Sequence, residues 1–190
     1  MKNLKKTLCL LLAVLMTVSL LAGCGKKVDD NADSKKVFTV GIDAEYPPFS
    51  YLGDDGSYTG FDIEIAQAAC DQLGWEMKVF PVNWEQKLTQ LDAKECDCIW
   101  SGMTILDSMK EAGYTLSAPY YDNTQVIMVK EGSDIKSSAD LAGKVVAVQL
   151  GTSGDTLLSE GGDLESLTAT FKSLVRSDSF LKCFTELSGG

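Results

Sequence analysis

Two short stretches of this sequence carry side chains that can hold a small polar molecule. "GIDAEYPPFSY" contains Asp43 and Tyr46, a carboxylate and an aromatic ring on a loop that two adjacent prolines stiffen at little entropic cost. "SGMT" contains Gly102, which lets a ligand approach the backbone, and Thr104, whose hydroxyl can receive a carboxylate together with nearby N–H groups. Lys110 follows six residues later and is the expected countercharge.

A third stretch, "VQLGTSGD" at 148–155, is a glycine-containing loop that opens a helix, a geometry suited to anions. It lacks the glycine spacings of nucleotide-binding loops, which argues against a nucleotide site. The residues alone leave plainer interpretations open. Tyr46 can belong to a rigid surface turn, Lys110 can be solvated beside an ordinary turn, and the acids within 54–66 suit a helix N-terminus.

The elements that must position these residues alternate between strand and helix, which predicts an α/β fold with parallel sheets covered on both faces. Asp62 and Asn83 are the expected helix caps. Ligands bind at the carboxyl ends of strands in such sheets, so Asp43 and Thr104 should meet there. The predicted strands are 37–42, 75–82, 96–102, 124–130, 144–150 and 168–174, and the predicted helices are 61–74, 84–95, 137–143, one near "TLLSE", and 177–190.

The last predicted helix simply stops, whereas an α/β unit should continue with another strand. We therefore expect a chain that is shorter than its full fold. The intact mass and the downstream nucleotide sequence test this expectation, and exposed strand edges would favour aggregation.

Composition excludes several classes of function. The formal net charge of -10 makes the chain a poor partner for nucleic acid or anionic lipid. The absence of histidine removes Ser-His and Cys-His catalysis and most zinc sites, so neither a metal nor a cofactor is expected.

The cysteines do not form a metal or redox motif, because no C-x-x-C pair is present. Cys9 belongs to the predicted leader. Cys70, Cys96, Cys98 and Cys183 are expected as buried thiols, with a disulfide as the open alternative in an exported protein.

The N-terminus has the organisation of an export signal. Three lysines precede an apolar run that ends in small residues, which predicts a leader over 1–23. A membrane-spanning helix is the alternative, but the run is short for the roughly 20 residues needed. "LAGC" resembles the bacterial lipoprotein box, in which Cys24 is lipidated. The polar residues 24–36 then form a flexible tether, and the protein is anchored outside the cytoplasm.

Five stretches in order, "GIDAEYPPFSY", "GFDIEIAQA", "CDCIWSGMTI", "APYYDNTQVIMV" and "DLAGKVVAVQLGTSGD", resemble the family 3 bacterial extracellular solute-binding proteins. These are polar amino-acid receptors of ABC importers. The resemblance implies a periplasmic-binding-protein-like α/β fold with two lobes joined by hinge strands. It assigns residues 37–123 to the first lobe and 124–190 to an incomplete second lobe.

The resemblance also implies ligand contacts. The first lobe supplies Asp43 and Tyr46, with Trp84 on the opposite wall. The matching positions for the ligand α-carboxylate are Ser101, Gly102 and Thr104, and those of the second lobe are Gln149, Gly151, Thr152 and Ser153.

Two departures from the family pattern concern charge. The family places an arginine where this chain has Met109, so either Lys110 substitutes as a point charge or the loop differs. The family aspartate for the ligand ammonium lies beyond the last helix, outside this chain.

The function that the resemblance implies is a monomeric, lipid-anchored receptor that binds an amino acid and delivers it to an ABC permease. Two alternatives remain at this point. The same two-lobed fold hosts dehydratases and domains of murein-cleaving enzymes, and it also serves as a ligand-sensing lipoprotein.

Overall fold

The computed structural model describes residues 35–189. Within them no helix is long and apolar enough to cross a membrane. The predicted leader, Cys24 and nearly all of the predicted tether lie outside the described residues. The strands are β1 (Val37–Ile42), β2 (Glu45–Tyr46), β3 (Ser50–Leu52), β4 (Tyr58–Thr59), β5 (Glu76–Pro81), β6 (Cys98–Ile99), β7 (Val145–Gln149) and β8 (Ser173–Ser177). The α-helices are α1 (Phe61–Leu73), α2 (Lys87–Asp92), α3 (Asp107–Glu111), α4 (Ser153–Leu158), α5 (Glu165–Thr168) and α6 (Phe180–Gly189).

The first sheet is parallel and has the order β5-β1-β6. Its central strand β1 pairs along its full length with β5 and over two residues with β6. Val40 and Ile42 are fully buried and form the core with Ile63 and Ala66 of α1. The alternation of strand and helix therefore produces the predicted parallel sheet, with its apolar central strand inside.

Helix α1 begins differently from the sequence prediction. Gly60 is its N-cap, and no side chain caps it, so the prediction that Asp62 caps the helix is wrong. Asp62 is instead fully buried, and its Oδ1 accepts a hydrogen bond from the Tyr120 hydroxyl at 2.8 Å. At the other end Gly74 takes the left-handed conformation, and the following N–H bonds back to Cys70.

Asp62 gives a pH-dependent prediction. Burial raises the pKa of this carboxyl, and the hydrogen bonds from Tyr120 and the Gly102 N–H offset this only in part. Because the folded-state pKa is the higher one, the carboxyl stabilises the fold at low pH, and this contribution is lost as pH rises through the folded pKa. Asp62→Asn cannot ionise, so the wild type should lose stability relative to this variant as the pH is raised from acid conditions through the folded-state pKa. Urea unfolding across that range measures the difference.

Asp54→Asn on an exposed turn is the control and should show no such trend. A stability difference between wild type and Asp62→Asn that stays flat with pH, or that runs in the opposite direction, would contradict the prediction.

A small antiparallel sheet, β2-β3-β4, follows β1 in the chain. The other parallel sheet pairs β7 with β8, in register from Val145 opposite Ser173 to Gln149 opposite Ser177. Helix α6 packs against β7. The predicted strand at 168–174 is wrong in position, because α5 occupies its start and β8 begins at Ser173. A short apolar run does not by itself distinguish a strand from a helix.

The predicted strand at 124–130 is also wrong. This segment pairs with no other strand within residues 35–189, and Val126 is 77% exposed. A β-rich sequence forms a strand only where a neighbouring edge is available. The predicted helix at 137–143 is a single 3₁₀ turn, Ser138–Leu141, closed by a capping box.

The predicted strand at 96–102 shortens to Cys98–Ile99. Cys96 is buried but precedes the strand. It packs against Gly41, and a Cβ added to Gly41 would lie 2.8 Å from the Cys96 sulfur. Burial raises the pKa of the Cys98 thiol to about 12. All four cysteines of the described residues are free thiols, so the disulfide alternative is not realised there.

Candidate functional site

A small cavity lies where four strands of the two parallel sheets end. Asp43 follows β1, Trp84 follows β5, Gly102 follows β6 and Gly151 follows β7. The cavity encloses about 50 Å³, little more than the space of one or two water molecules. Its lining residues are Asp43, Tyr46, Trp84, Lys87, Gly102, Met103, Thr104, Leu106, Met109, Asn123, Gln125, Gly151, Thr152, Ser153 and Phe180.

Asp43 is held rigidly at the end of β1. Its backbone N–H donates to Ser101 Oγ at 3.0 Å, and its carbonyl accepts from Ser50 Oγ at 2.7 Å. Its carboxylate accepts from the Glu45 N–H at 2.9 Å and from Gln149 Nε2 at 2.7 Å. Asp43 as a whole is 6% exposed, and these hydrogen bonds give its carboxylate a single orientation at the cavity.

Aromatic rings form one wall of the cavity. Tyr46 stacks between Phe49 and Phe180, with ring centroids 5.1 and 4.9 Å away. Gly102 has a φ of 57°, and a Cβ there would lie 2.7 Å from the Tyr46 ring. The site therefore needs glycine at 102 for both backbone conformation and space. Burial raises the pKa of the Tyr46 hydroxyl, with nearby carboxylates adding to the effect, so the ring remains neutral.

Trp84 lines the same cavity and is 9% exposed. It begins a 3₁₀ turn, Trp84–Gln86, that leads into α2. The prediction that Asn83 caps this segment is confirmed, because its side chain accepts from the Gln86 N–H at 3.2 Å. The two rings that were expected to flank one slot, Tyr46 and Trp84, thus share one cavity.

The loop after β7 supplies the other wall. Thr152 caps α4 by accepting from the Asp155 N–H at 3.2 Å, and it donates its own hydroxyl proton to the Gln149 carbonyl at 2.8 Å. The Gly151 N–H donates to Asp155 Oδ2 at 3.2 Å. These bonds fix the backbone so that Gly151, Thr152 and Ser153 face the cavity.

Three hydrogen bonds join the two walls directly. Gln149 donates to Asp43, as described above, and Thr104 Oγ1 lies 3.1 Å from Ser153 Oγ. Lys87 Nζ donates to the Gly151 carbonyl at 2.7 Å. Asp43, Thr104, Gln149 and Ser153 were predicted to contact a ligand, and here they form hydrogen bonds with one another across the gap. The enclosed space is small for this reason.

Two predicted contact residues support the site from behind its surface. Ser101 and Gln149 are fully buried and bond to Asp43, but neither lines the cavity. Their role in this structure is to position the carboxylate.

Lys110 is not placed where the sequence prediction put it. Its ammonium bonds to Asp107 at 2.8 Å, its side chain is 58% exposed, and it does not line the cavity. Lys110 lies on α3, which turns this residue outward and brings the preceding Met109 inward, where it is 7% exposed. The expected countercharge is therefore elsewhere.

The sequence analysis did not predict that Lys87, Asn123, Gln125 and Phe180 line the cavity, nor that the apolar residues Met103, Leu106 and Met109 do. Two signals were available. Lys87 lies one helical turn before Leu91, on the side of α2 predicted to face inward. Met103, Leu106 and Met109 recur every third residue, a spacing that places them on one side of a turn-rich segment. Asn123 also donates to Thr104 Oγ1 at 2.7 Å.

The chemistry of the site suits binding of a small polar molecule. It combines one buried carboxylate, one buried ammonium, several hydroxyl and amide groups, and aromatic walls. Within residues 35–189 no group of three His, Cys, Asp or Glu side chains is arranged to hold a metal ion.

Comparison with known proteins identifies relatives across most of the chain. Residues 38–185 match the bacterial extracellular solute-binding proteins, family 3. The L-cystine-binding protein TcyJ of Escherichia coli (strain K12) is 40% identical over 145 residues, which are 72% of this chain and 54% of that protein. The arginine-binding extracellular protein ArtP of Bacillus subtilis (strain 168) is 37% identical over 148 residues, 78% of this chain and 57% of that protein.

A solved structure shows the same architecture. The ancestral amino acid-binding protein AncCDT-1, a precursor of cyclohexadienyl dehydratase, superposes with a TM-score of 0.71 at 33% identity, covering 81% of this chain and 66% of that one. This chain spans about half the length of the curated relatives that it matches.

Proposed function

The chain belongs to the bacterial extracellular solute-binding proteins, family 3, and on that premise we propose that it binds a polar amino acid between its two parallel sheets and delivers it to an ABC importer. The two lobes of this proposal are residues 37–123 and 124–190. In this proposal the ligand binds in the cavity, and the hydrogen bonds between the walls hold the two lobes closed around it.

The observation that carries this proposal is the convergence of Asp43, Tyr46, Trp84, Thr104 and Ser153 on one cavity. A zwitterion needs a carboxylate for its ammonium, donors for its carboxylate and a flat apolar slot for its side chain. Buried and oriented groups of both kinds discriminate among ligands, because a wrong ligand leaves one of them unpaired.

Ligand entry requires the walls to separate. Drug-sized and metabolite pockets measure about 300 Å³ or more, far above the enclosed space here. The bonds between Thr104 and Ser153 and between Lys87 and Gly151 must break while the ligand enters, and they can form again when the walls close on it. A ligand that contacts both walls favours the closed arrangement by its differential affinity for it.

The ligand class that we propose is a polar amino acid with an extended side chain. Two relatives are named for L-cystine and for arginine. Asp43 suits a cationic or hydrogen-bond-donating group, and the thioethers of Met103 and Met109 with the ring of Trp84 suit the aliphatic or sulfur-containing part of either side chain.

Binding is tested by thermal unfolding of the purified chain with each of the common L-amino acids and L-cystine at millimolar concentration. We expect one or a few polar amino acids, with L-arginine and L-cystine the first to examine, to raise the Tm, since a ligand at 100 times its Kd adds about 2.7 kcal/mol of stability. D-enantiomers serve as controls of matched composition. Absence of a shift with any amino acid in a cooperatively unfolding sample would contradict the proposed function.

The membrane anchor is part of the proposal. The family is extracellular, and the acidic chain has no attraction for anionic lipid, so a lipid on Cys24 is the proposed attachment. Incorporation of labelled palmitate by the wild type and not by Cys24→Ala tests it.

An enzymatic role is the weaker candidate. The named curated relatives are binding proteins, and the solved neighbour is itself an amino acid-binding protein, although it preceded a dehydratase. Catalysis would need an acid or base free to exchange protons, whereas the Asp43 carboxylate already accepts two hydrogen bonds.

A further inference from the structure

The cavity contains a buried ammonium group with no carboxylate partner. Lys87 is 6% exposed, and no carboxylate oxygen of residues 35–189 lies within 4.0 Å of its Nζ. Its partners are two backbone carbonyls, Trp84 at 3.1 Å and Gly151 at 2.7 Å, and the face of the Trp84 ring at 4.7 Å. An ammonium group taken out of water is costly unless a negative charge compensates it.

No second cationic side chain of residues 35–189 lines the cavity. Lys87 is the one cationic side chain among its described lining residues. Met109 is buried there and carries no charge, and Lys110 is exposed and already paired with Asp107. The position of positive charge at this site is thus on α2, not on α3.

Asp43 does not neutralise this ammonium by direct contact. Its carboxylate accepts from Gln149 and from the Glu45 N–H and lies beyond ion-pair distance of Lys87. The two opposite charges therefore line one cavity as separate, fixed poles. A ligand of both charges placed between them would present its carboxylate to Lys87 and a cationic or hydrogen-bond-donating group to Asp43.

We propose that Lys87 is the residue that pairs with the carboxylate of the amino-acid ligand, and that it thereby determines specificity for free amino acids over neutral or decarboxylated analogues. The inference rests on the proposed function. Burial strengthens the pair because water does not compete for either charge. An ammonium group acts as a point charge with three donors, so the carboxylate can take the third donor while the two carbonyl bonds remain.

A cycle of protein and ligand changes tests this pairing. Isothermal titration measures the affinity of wild type and of Lys87→Met for L-arginine and for L-argininamide, which lacks the carboxylate charge. If the thermal screen selects another amino acid, that amino acid and its carboxamide replace them. We expect Lys87→Met to weaken binding of the amino acid by roughly 10- to 100-fold and binding of the amide by less than about threefold.

The difference between the two ligands separates recognition from structure. If Lys87 only joins the walls through Gly151, the substitution weakens both ligands by the same factor, and the inference is overturned. Lys87→Arg keeps the charge and should retain discrimination between acid and amide. Lys78→Met, at an exposed lysine of β5, controls for loss of a positive charge and should change neither affinity by more than about twofold.

Further outcomes are equally decisive. A larger loss for Lys110→Met than for Lys87→Met would return the role to Lys110 and overturn the inference. A wild type that binds no amino acid contradicts the proposed function itself. A wild type that binds, with acid and amide equally affected by Lys87→Met, contradicts the Lys87 assignment alone.

Discussion

Gly151→Ala is expected to lower amino-acid affinity by on the order of 100-fold. A Cβ at this position would lie 2.7 Å from the Glu85 Cα and 3.2 Å from the Trp84 carbonyl oxygen. Both atoms belong to the backbone of the opposite wall and cannot move aside as a side chain does. The walls would have to separate at the point where Lys87 bonds to Gly151.

The size of this effect follows from the contacts that separation removes. Each hydrogen bond across the walls contributes about 1 kcal/mol net, and the bonds of Lys87 to Gly151 and of Thr104 to Ser153 are the two nearest. Loss of both is about a 30-fold change, and incomplete closure on the ligand adds to it. Isothermal titration with the amino acid selected by the thermal screen measures the result.

Gly143→Ala is the matched control. Gly143 has a φ of 72°, close to the 70° of Gly151, but no atom lies within 4 Å of its added Cβ. Both variants therefore carry a similar backbone strain of about 1–2 kcal/mol, and only one meets the opposite wall. Equal affinities for the two variants would show that the walls do not approach in the bound protein.

Ile42→Ala should cost about 2–5 kcal/mol of unfolding free energy. Ile42 is fully buried at the end of the central strand β1, in the core that includes Val40, Ile63 and Ala66. The neighbouring strand is hydrogen-bonded in register on that side, so the backbone cannot collapse into the space left by the missing methyl groups. Urea denaturation with a constant m-value measures the loss.

Val37→Ala provides the comparison within the same strand. Val37 begins β1 and is 40% exposed, so its truncation should cost less than about 1 kcal/mol. Equal losses at the two positions would contradict the assignment of Ile42 to the core. Because Asp43 follows Ile42 directly, Ile42→Ala should also weaken ligand binding by loosening the carboxylate.

Prediction from the sequence succeeded where local pattern and tertiary environment agree. Strand β1 and helix α1 were expected nearly where they lie, because apolar periodicity and a terminal glycine report on burial and on chain reversal. It failed at 124–130, whose β-rich residues have no neighbouring strand within the described chain. It also failed at 168–174, where "TATFKSL" is shared between a helix end and a strand start.

The sequence by itself determined which residues stand close after the strand ends of the candidate site. Asp43, Gly102 and Gly151 follow soon after β1, β6 and β7, so the placement of each depends mainly on local connectivity. The order of parallel strands then brings these ends to one edge. The family membership also follows from the linear order of motifs.

Only the tertiary structure decided which charge enters the site. Lys87 and Lys110 both lie on short helices near the cavity, and no periodicity in either segment is strong enough to choose between them. The choice depends on the rotation of each helix against its sheet and on the backbone carbonyl that the opposite wall presents to the ammonium. Such information belongs to contacts between residues 64 positions apart, and a linear pattern does not encode it.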